Sequence, residues 1–401
     1  MRKSIVKSGK ETTRLRIDER KGGEMKKSYI MAPGPTPVPE DVLSEIARPI
    51  IHHRTSQYQE IFKKANDGLK YLFQTRNDIF TFAASGTGAM ETAVVNILSA
   101  GEKAIVVRAG KFGERFAEIC KAYGIEVVAI DVEWGSPLDP DILKTTLRKH
   151  KDVRAVFATL CETSTGTNND VENMGRIVSE TDAILVIDAI SGLCADELKT
   201  DEWSVDIVCA GSQKGLMLPP GLSFLSASKK ALERTAASNL PKYYFDLRAY
   251  KKSLDKDDVP WTPAVGLVRG LCKSIDMIKE EGLENVLARH RRLAEATRAA
   301  VKGLGLGLFS SHPSNAVTAV KVPAGIDGQL LVKTMRNKYG VTIAGGQAHL
   351  KGKIFRIAHL GYMIEFDTIT AIAALEMVLK DMGYTFNVGS GVSAALQSLT
   401  A

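Results

Sequence analysis

From about residue 80 the chain alternates short, almost wholly apolar runs with longer stretches of helical period. The apolar runs are "KAIVVRAG" (103–110), "IEVVAIDV" (125–132), "RAVFATLCE" (154–162), "AILVIDAI" (183–190), "VDIVCAG" (205–211) and "LSFLSAS" (222–228). Segments such as "GERFAEICKAYG" and "VENMGRIVSET" lie between them and repeat their apolar residues every three to four positions, as an amphipathic helix does. Strands apolar at nearly every position are buried on both faces. Alternated with helices, they predict an α/β fold with a mostly parallel sheet covered on both sides. In such sheets functional residues collect at the carboxyl ends of the strands.

The texture changes after about residue 264. A charged helical stretch (284–305) leads to short strands near 316–322, 341–344 and 354–359, then a helix over 366–382, which predicts a smaller α+β domain. At the other end, "APGPTPVP" (32–39) is too rich in proline for a helix and reads as an extended arm. The expected organisation is a basic leader over 1–28, an arm and large domain over 29–263, a small domain over 264–385 and a tail over 386–401.

Charge alters this picture in one place. The formal net charge of +7 suggests a nucleic-acid partner until it is localised. Residues 1–30 hold ten Lys/Arg and four Asp/Glu, so the remaining 371 residues carry only +1. A nearly neutral globular part argues against nucleic acid. No apolar run reaches the roughly 18–20 residues a membrane-spanning helix needs, and no secretory h-region is seen. Five scattered cysteines in apolar runs read as buried free thiols, which places the expectation in the cytoplasm.

Four strand ends or turns carry chemistry that their surroundings leave unexplained. Asp188 closes an apolar strand, where a carboxylate is costly to desolvate without a cation. Between Val205 and Ser228 the only charged residues are Asp206 and Lys214, so Lys214 sits in "GSQKGLMLPPG" with almost nothing to pair with. Desolvation makes such an amine lose its proton and become a nucleophile. "AASGTGAMET" (83–92) is a small-residue turn feeding a helix, a shape that binds anions. Arg356 alternates with apolar residues in "KIFRIAHLG", offering a planar fork for a carboxylate. Singly, each has a plain structural explanation: a cap, a snorkelling lysine, a tight helix entry, a surface arginine. Together they match what pyridoxal phosphate chemistry requires.

With "HHR", "FQTRN", "GKFGERF", "ETSTGT" and "IDAISG" added in order, the sequence resembles the class V aminotransferases of pyridoxal-phosphate fold type I over roughly residues 29–385. It looks closest to their alanine–glyoxylate, serine–glyoxylate and serine–pyruvate branch. The resemblance implies that Lys214 links the cofactor covalently and that Asp188 pairs with its ring nitrogen. Thr87, Gly88 and Gln213 would hold the phosphate, Thr163 would sit near the ring hydroxyl, and Phe112 would stack on the ring. Arg356, with Gly34 of the arm, would meet the substrate. Thr262 would reach the phosphate of a partner subunit in a homodimer, although Val259 stands where some relatives carry a tyrosine. His53 or Arg54 would either touch substrate or be structural. The implied reaction is ping-pong transamination of alanine or serine with glyoxylate or pyruvate. Aspartate or aminoethylphosphonate as donor, or an accessory role without catalysis, are the alternatives. Desulfuration is disfavoured because no cysteine follows Cys272.

Overall fold

A computed structural model describes residues 27–401, so all but the end of the basic leader lies outside the described residues. The large sheet has seven strands: β1 (Asp78–Phe82), β2 (Lys103–Arg108), β3 (Glu126–Asp131), β4 (Val153–Thr159), β5 (Ile184–Asp188), β6 (Ile207–Gly211) and β7 (Ser223–Ala227). Their order is β1-β7-β6-β5-β4-β2-β3. β7 runs antiparallel to both its neighbours, and the other pairs are parallel. All the apolar runs became strands. β1, "DIFTF", with a polar Asp and Thr among its five residues, was not among the apolar runs and pairs with β7.

The two faces of this sheet show why its central strands are apolar throughout. Leu185, Ile187, Val208, Ala210 and Phe224 point into one core, with the helices Ser56–Phe73 and Val265–Glu281. Ile184, Val186, Ile207, Cys209 and Leu225 point into the other, against Gly86–Ile97 and Lys111–Ala122. Successive strand residues alternate faces, so a sheet covered twice needs an apolar residue at every position. At about 1.5–3 kcal/mol for each large side chain fully buried, these two layers are the main source of stability.

The C-terminal part is built on a three-stranded antiparallel sheet in which β10 (Ile354–Ala358) lies between β8 (Val317–Lys321) and β9 (Ala344–Gly345). Helices Leu283–Gly303, Glu365–Asp381 and Ser390–Thr400 cover it. Two expectations change here. The helix Val265–Glu281 does not open the small domain: Val268, Leu271, Ile275 and Ile278 bury its apolar face in the core of the large sheet. Nor is 386–401 a plain tail. Glu376 accepts hydrogen bonds from the N–H groups of Gly389, Gly391 and Val392 and so caps the final helix from outside. The arm spans both parts. Tyr29–Ile30 pairs with Val341–Thr342, Ala358 N donates to Met31 O, and Thr36 N donates to Gln213 O.

Candidate active site

The carboxyl ends of β4, β5 and β6 open toward the C-terminal sheet, and the predicted residues gather in that cleft. Lys214 lies three residues beyond β6 in a loop closed by Ser212, whose Oγ donates to Pro219 O at 2.7 Å and accepts from Leu222 N at 3.2 Å. Its side chain is 9 % exposed and its Nζ donates to Pro33 O of the arm. Gly34 packs directly over it. A Cβ there would fall 2.5–2.6 Å from the lysine's Cε, Cδ and Nζ, and its φ of +111° also favours glycine. Thr36 Oγ1 donates to the carbonyl of Lys214 at 3.1 Å, pinning the arm on the loop. Burial pulls the ammonium down to about 8 from 10.5. The charge of Asp188 opposes that fall, and those of Arg356 and Arg115 assist it.

Asp188 ends β5 and is 4 % exposed. Its Oδ1 accepts from Ile190 N at 2.8 Å, its single side-chain hydrogen bond among the described residues. Burial raises its carboxyl to about 7, against the backbone hydrogen bond, and the nearby Glu162 adds to the rise. A carboxylate with most of its acceptor capacity unspent suits a cationic N–H partner. Thr163, after β4, donates from Oγ1 to Ser191 Oγ at 2.7 Å.

Thr87 and Gly88 lie in the first turn of helix Gly86–Ile97, and no side chain caps that helix at Ser85. Gly88 N donates to Ser85 O at 2.8 Å, and the other leading amides, with the positive end of the dipole, offer an anion cradle. Gly86 permits tight entry, because a Cβ would meet Ile190 Cδ1 at 2.4 Å. Gln213 has a buried Oε1 without a hydrogen-bond partner. Half a turn of that amide would present N–H donors to an anion. Arg115 donates to Thr87 Oγ1 at 3.3 Å and lies 4.9 Å from the centre of the Phe112 ring.

Arg356 sits mid-strand in β10 and is 5 % exposed. Its Nε and Nη2 donate to Gly345 O at 3.1 and 2.8 Å, and its Nη1 donates to Thr163 O at 2.7 Å. No carboxylate pairs with it among the described residues, and burial lowers its guanidinium to about 10. Neutral carbonyls orient this buried cation without neutralising it.

Not every predicted residue joins this cluster. Thr262 is exposed on the loop after Trp261, with no hydrogen bond to Thr87 or Gln213 among the described residues. Arg54 is committed to structure, donating to Asp258 Oδ2 at 2.5 Å and to Val259 O at 2.8 Å. His53 stacks on His52, with ring centres 4.8 Å apart. Conversely, Ser191, Arg115, Pro33, Thr36 and Glu162 were not singled out beforehand. Only Glu162, an acid in an otherwise apolar and hydroxyl-bearing stretch, carried a sequence signal.

The cleft thus holds a desolvated amine, two buried acids, an anion cradle and, in Arg356 and Arg115, guanidinium groups with no carboxylate partner among the described residues, which together fit an anionic, aldehyde-bearing heteroaromatic cofactor. Among the described residues no helix is long and apolar enough to cross a membrane. The family profile Aminotransferase class-V matches residues 29–363. A protein named "Soluble hydrogenase, small subunit", from Synechococcus sp. (strain PCC 6716), is 45% identical over 93% of this chain and 99% of its own. L-aspartate–glyoxylate aminotransferase of Paracoccus denitrificans (strain Pd 1222) is 38% identical over 91% of this chain and 94% of its own. The crystal structure of ureidoglycine–glyoxylate aminotransferase from Bacillus subtilis superposes with a TM-score of 0.89 at 28% identity, covering 95% of this chain and all of that one. The chain belongs to the class-V aminotransferases, enzymes of amino-group transfer with pyridoxal phosphate as cofactor.

Proposed function

We propose that the protein transfers the amino group of a small amino acid, alanine or serine, to glyoxylate or pyruvate. The observation that carries this reading is Arg356, a buried guanidinium held by Gly345 O and Thr163 O with no carboxylate of the chain to neutralise it. A substrate α-carboxylate supplies that charge, and the fork geometry orients it. Glyoxylate as acceptor is supported by the names of the Paracoccus and Bacillus relatives.

When bound, pyridoxal phosphate supplies an aldehyde that condenses with amines and a protonated ring that draws electrons from the substrate's α-carbon. The rest falls to the chain. Lys214 attaches the cofactor, and its depressed pKa keeps a useful fraction of free amine near neutral pH. Unattached, that amine would be the general base for the α-proton, and the arm at Pro33 and Gly34 keeps it out of bulk water. Asp188 holds the ring nitrogen's proton. Thr87, Gly88 and Gln213 would hold the phosphate, Thr163 would lie by the ring hydroxyl, and Phe112 would cover the ring face. Gly34 confines the substrate side of the cleft. Ping-pong kinetics follow, because donor and acceptor use the same cleft in turn.

The reading includes a homodimer. Tyr243 is 77 % exposed and stacks at 4.9 Å on Trp261, whose neighbour Thr262 is also exposed. We place these on the partner's cleft, with Thr262 directed at its phosphate. One observation favours aspartate as an alternative donor: Arg115 is a second guanidinium near Lys214 without an acidic partner among the described residues. An accessory role is disfavoured because Lys214 and Asp188 are both present and buried together.

The test is a panel of alanine, serine, aspartate and aminoethylphosphonate against glyoxylate, pyruvate and 2-oxoglutarate. Alanine or serine with glyoxylate or pyruvate is expected to give the highest kcat/KM. Absence of transfer from both donors to either acceptor refutes the reading.

A further inference from the structure

Glu162 is fully buried and forms no salt bridge among the described residues, yet four donors converge on its carboxylate. Oε2 accepts from Phe112 N at 3.2 Å and Gly113 N at 3.0 Å. Oε1 accepts from Ser164 N at 3.1 Å and Ser164 Oγ at 2.6 Å. Ser164 Oγ itself accepts from Lys111 N at 3.0 Å, so its proton is directed at Glu162. Every contact is therefore a donor, a pattern that favours the ionised carboxylate against burial, which raises its pKa from the usual 4.5. Two of these hydrogen bonds, with that of Lys111, satisfy the leading end of helix Lys111–Ala122, whose own cap residue is Gly110. A Cβ at Gly110 would fall 2.5 Å from Glu162 Cδ and 2.4 Å from Ser164 Oγ, so only glycine lets the two segments close this tightly.

The geometry matters because of what the two segments carry. Phe112 is the second residue of the helix. Thr163 follows Glu162 directly, donates to Ser191 and accepts from Arg356 at 2.7 Å. We propose that Glu162 is a positioning residue that sets the ring-covering Phe112 in register with the carboxylate-binding Arg356, through its grip on the helix end and on the 162–164 turn. This rests on the roles given above to Phe112, Arg356 and Lys214. A neutral helix cap would satisfy the same amides. The buried negative charge does more, because its field also favours the charged form of Arg356, whose Nη1 is held by the carbonyl of the adjacent Thr163.

Glu162→Gln keeps the shape and forces an NH₂ against N–H donors on one side or the other. It is compared with wild type in the cofactor-loaded enzyme by visible circular dichroism, cofactor Kd, thermal melting and steady-state kinetics. The expected result is weakened dichroism of the bound cofactor and a KM for donor and acceptor raised tenfold or more. Covalent attachment at Lys214 should persist, as located by borohydride reduction and peptide mapping. Dichroism and KM equal to wild type overturn the proposal, as does a fall in melting temperature that leaves both unchanged. Should Glu162→Gln fail to fold, Ser164→Ala takes its place, with the same spectral and KM changes expected at smaller size and the same outcomes overturning. Attachment found on a residue other than Lys214 in wild type refutes the underlying site reading instead, whatever Glu162 does.

Discussion

Replacing Asp188 by Asn isolates the cost of burying a charge in this sheet. The amide oxygen can still accept from Ile190 N, so the backbone at the end of β5 keeps its 2.8 Å hydrogen bond. What disappears is titration. In the cofactor-free protein, burial raises the Asp188 carboxyl from 3.8 to about 7. At 1.36 kcal/mol per pH unit this is about 4 kcal/mol. The sign follows from proton counting. Between pH 3.8 and 7 the folded state holds a proton that the unfolded chain has released, so wild-type stability falls as pH rises through that window. The Asn variant carries no such term. Its buried NH₂ costs about 1–3 kcal/mol if unpaired, but equally at every pH. Equilibrium urea unfolding of both cofactor-free proteins at intervals from pH 4 to pH 8 should therefore show the variant gaining on wild type by up to about 4 kcal/mol. Groups that do not feel the Asp188 charge titrate alike in both and cancel, so the difference reports Asp188 with its coupled neighbours Glu162 and Lys214. Adding cofactor should remove the wild-type penalty, since a cationic ring nitrogen pairs with the carboxylate, while the variant binds cofactor more weakly. A stability difference independent of pH would refute the reasoning, because it would mean that Asp188 bears no desolvation cost.

Three other outcomes are expected. Gly34→Ala should slow covalent reloading of stripped enzyme by about tenfold or more, followed by the return of visible absorbance, since the new Cβ meets Lys214 at 2.5–2.6 Å and φ is strained. Arg356→Lys should raise KM for both donor and acceptor on the order of 10- to 100-fold, because an ammonium cannot reproduce the bidentate fork while holding Gly345 O and Thr163 O. His290 accepts from Gly361 N at 2.9 Å through Nε2 and, at 2.8 Å, directs Nδ1–H to Cys194 O, so it is buried neutral, with burial lowering its pKa from 6.5 to about 3. It contributes stability present above pH 6.5 and lost as pH falls toward 3, and a His290→Gln variant should show a shallower acid-unfolding curve in that range.

Much of this molecule was legible in the order of its residues. Continuous apolar runs between amphipathic segments imply a doubly covered parallel sheet, because alternating side chains must find a core on both faces. Lys214 and Asp188 stood out for a related reason: a lone charge in an apolar segment is costly unless chemistry needs it. Tertiary structure decided the rest. β1 lies at the edge of the sheet, where β7 is its one strand partner. Helix Val265–Glu281 joins the large core because helix Ser56–Phe73 offers its apolar face a partner, and the closing residues fold because Glu376 caps them. Arg54, suggestive in "HHR", is drawn away from the cleft by Asp258, far along the chain. Glu162 links Phe112, Thr163 and Arg356 only once three separate segments meet. Local pattern reports what each residue must avoid, chiefly water or its absence. Which partner satisfies it depends on contacts between distant parts of the chain, and those form only in the folded state.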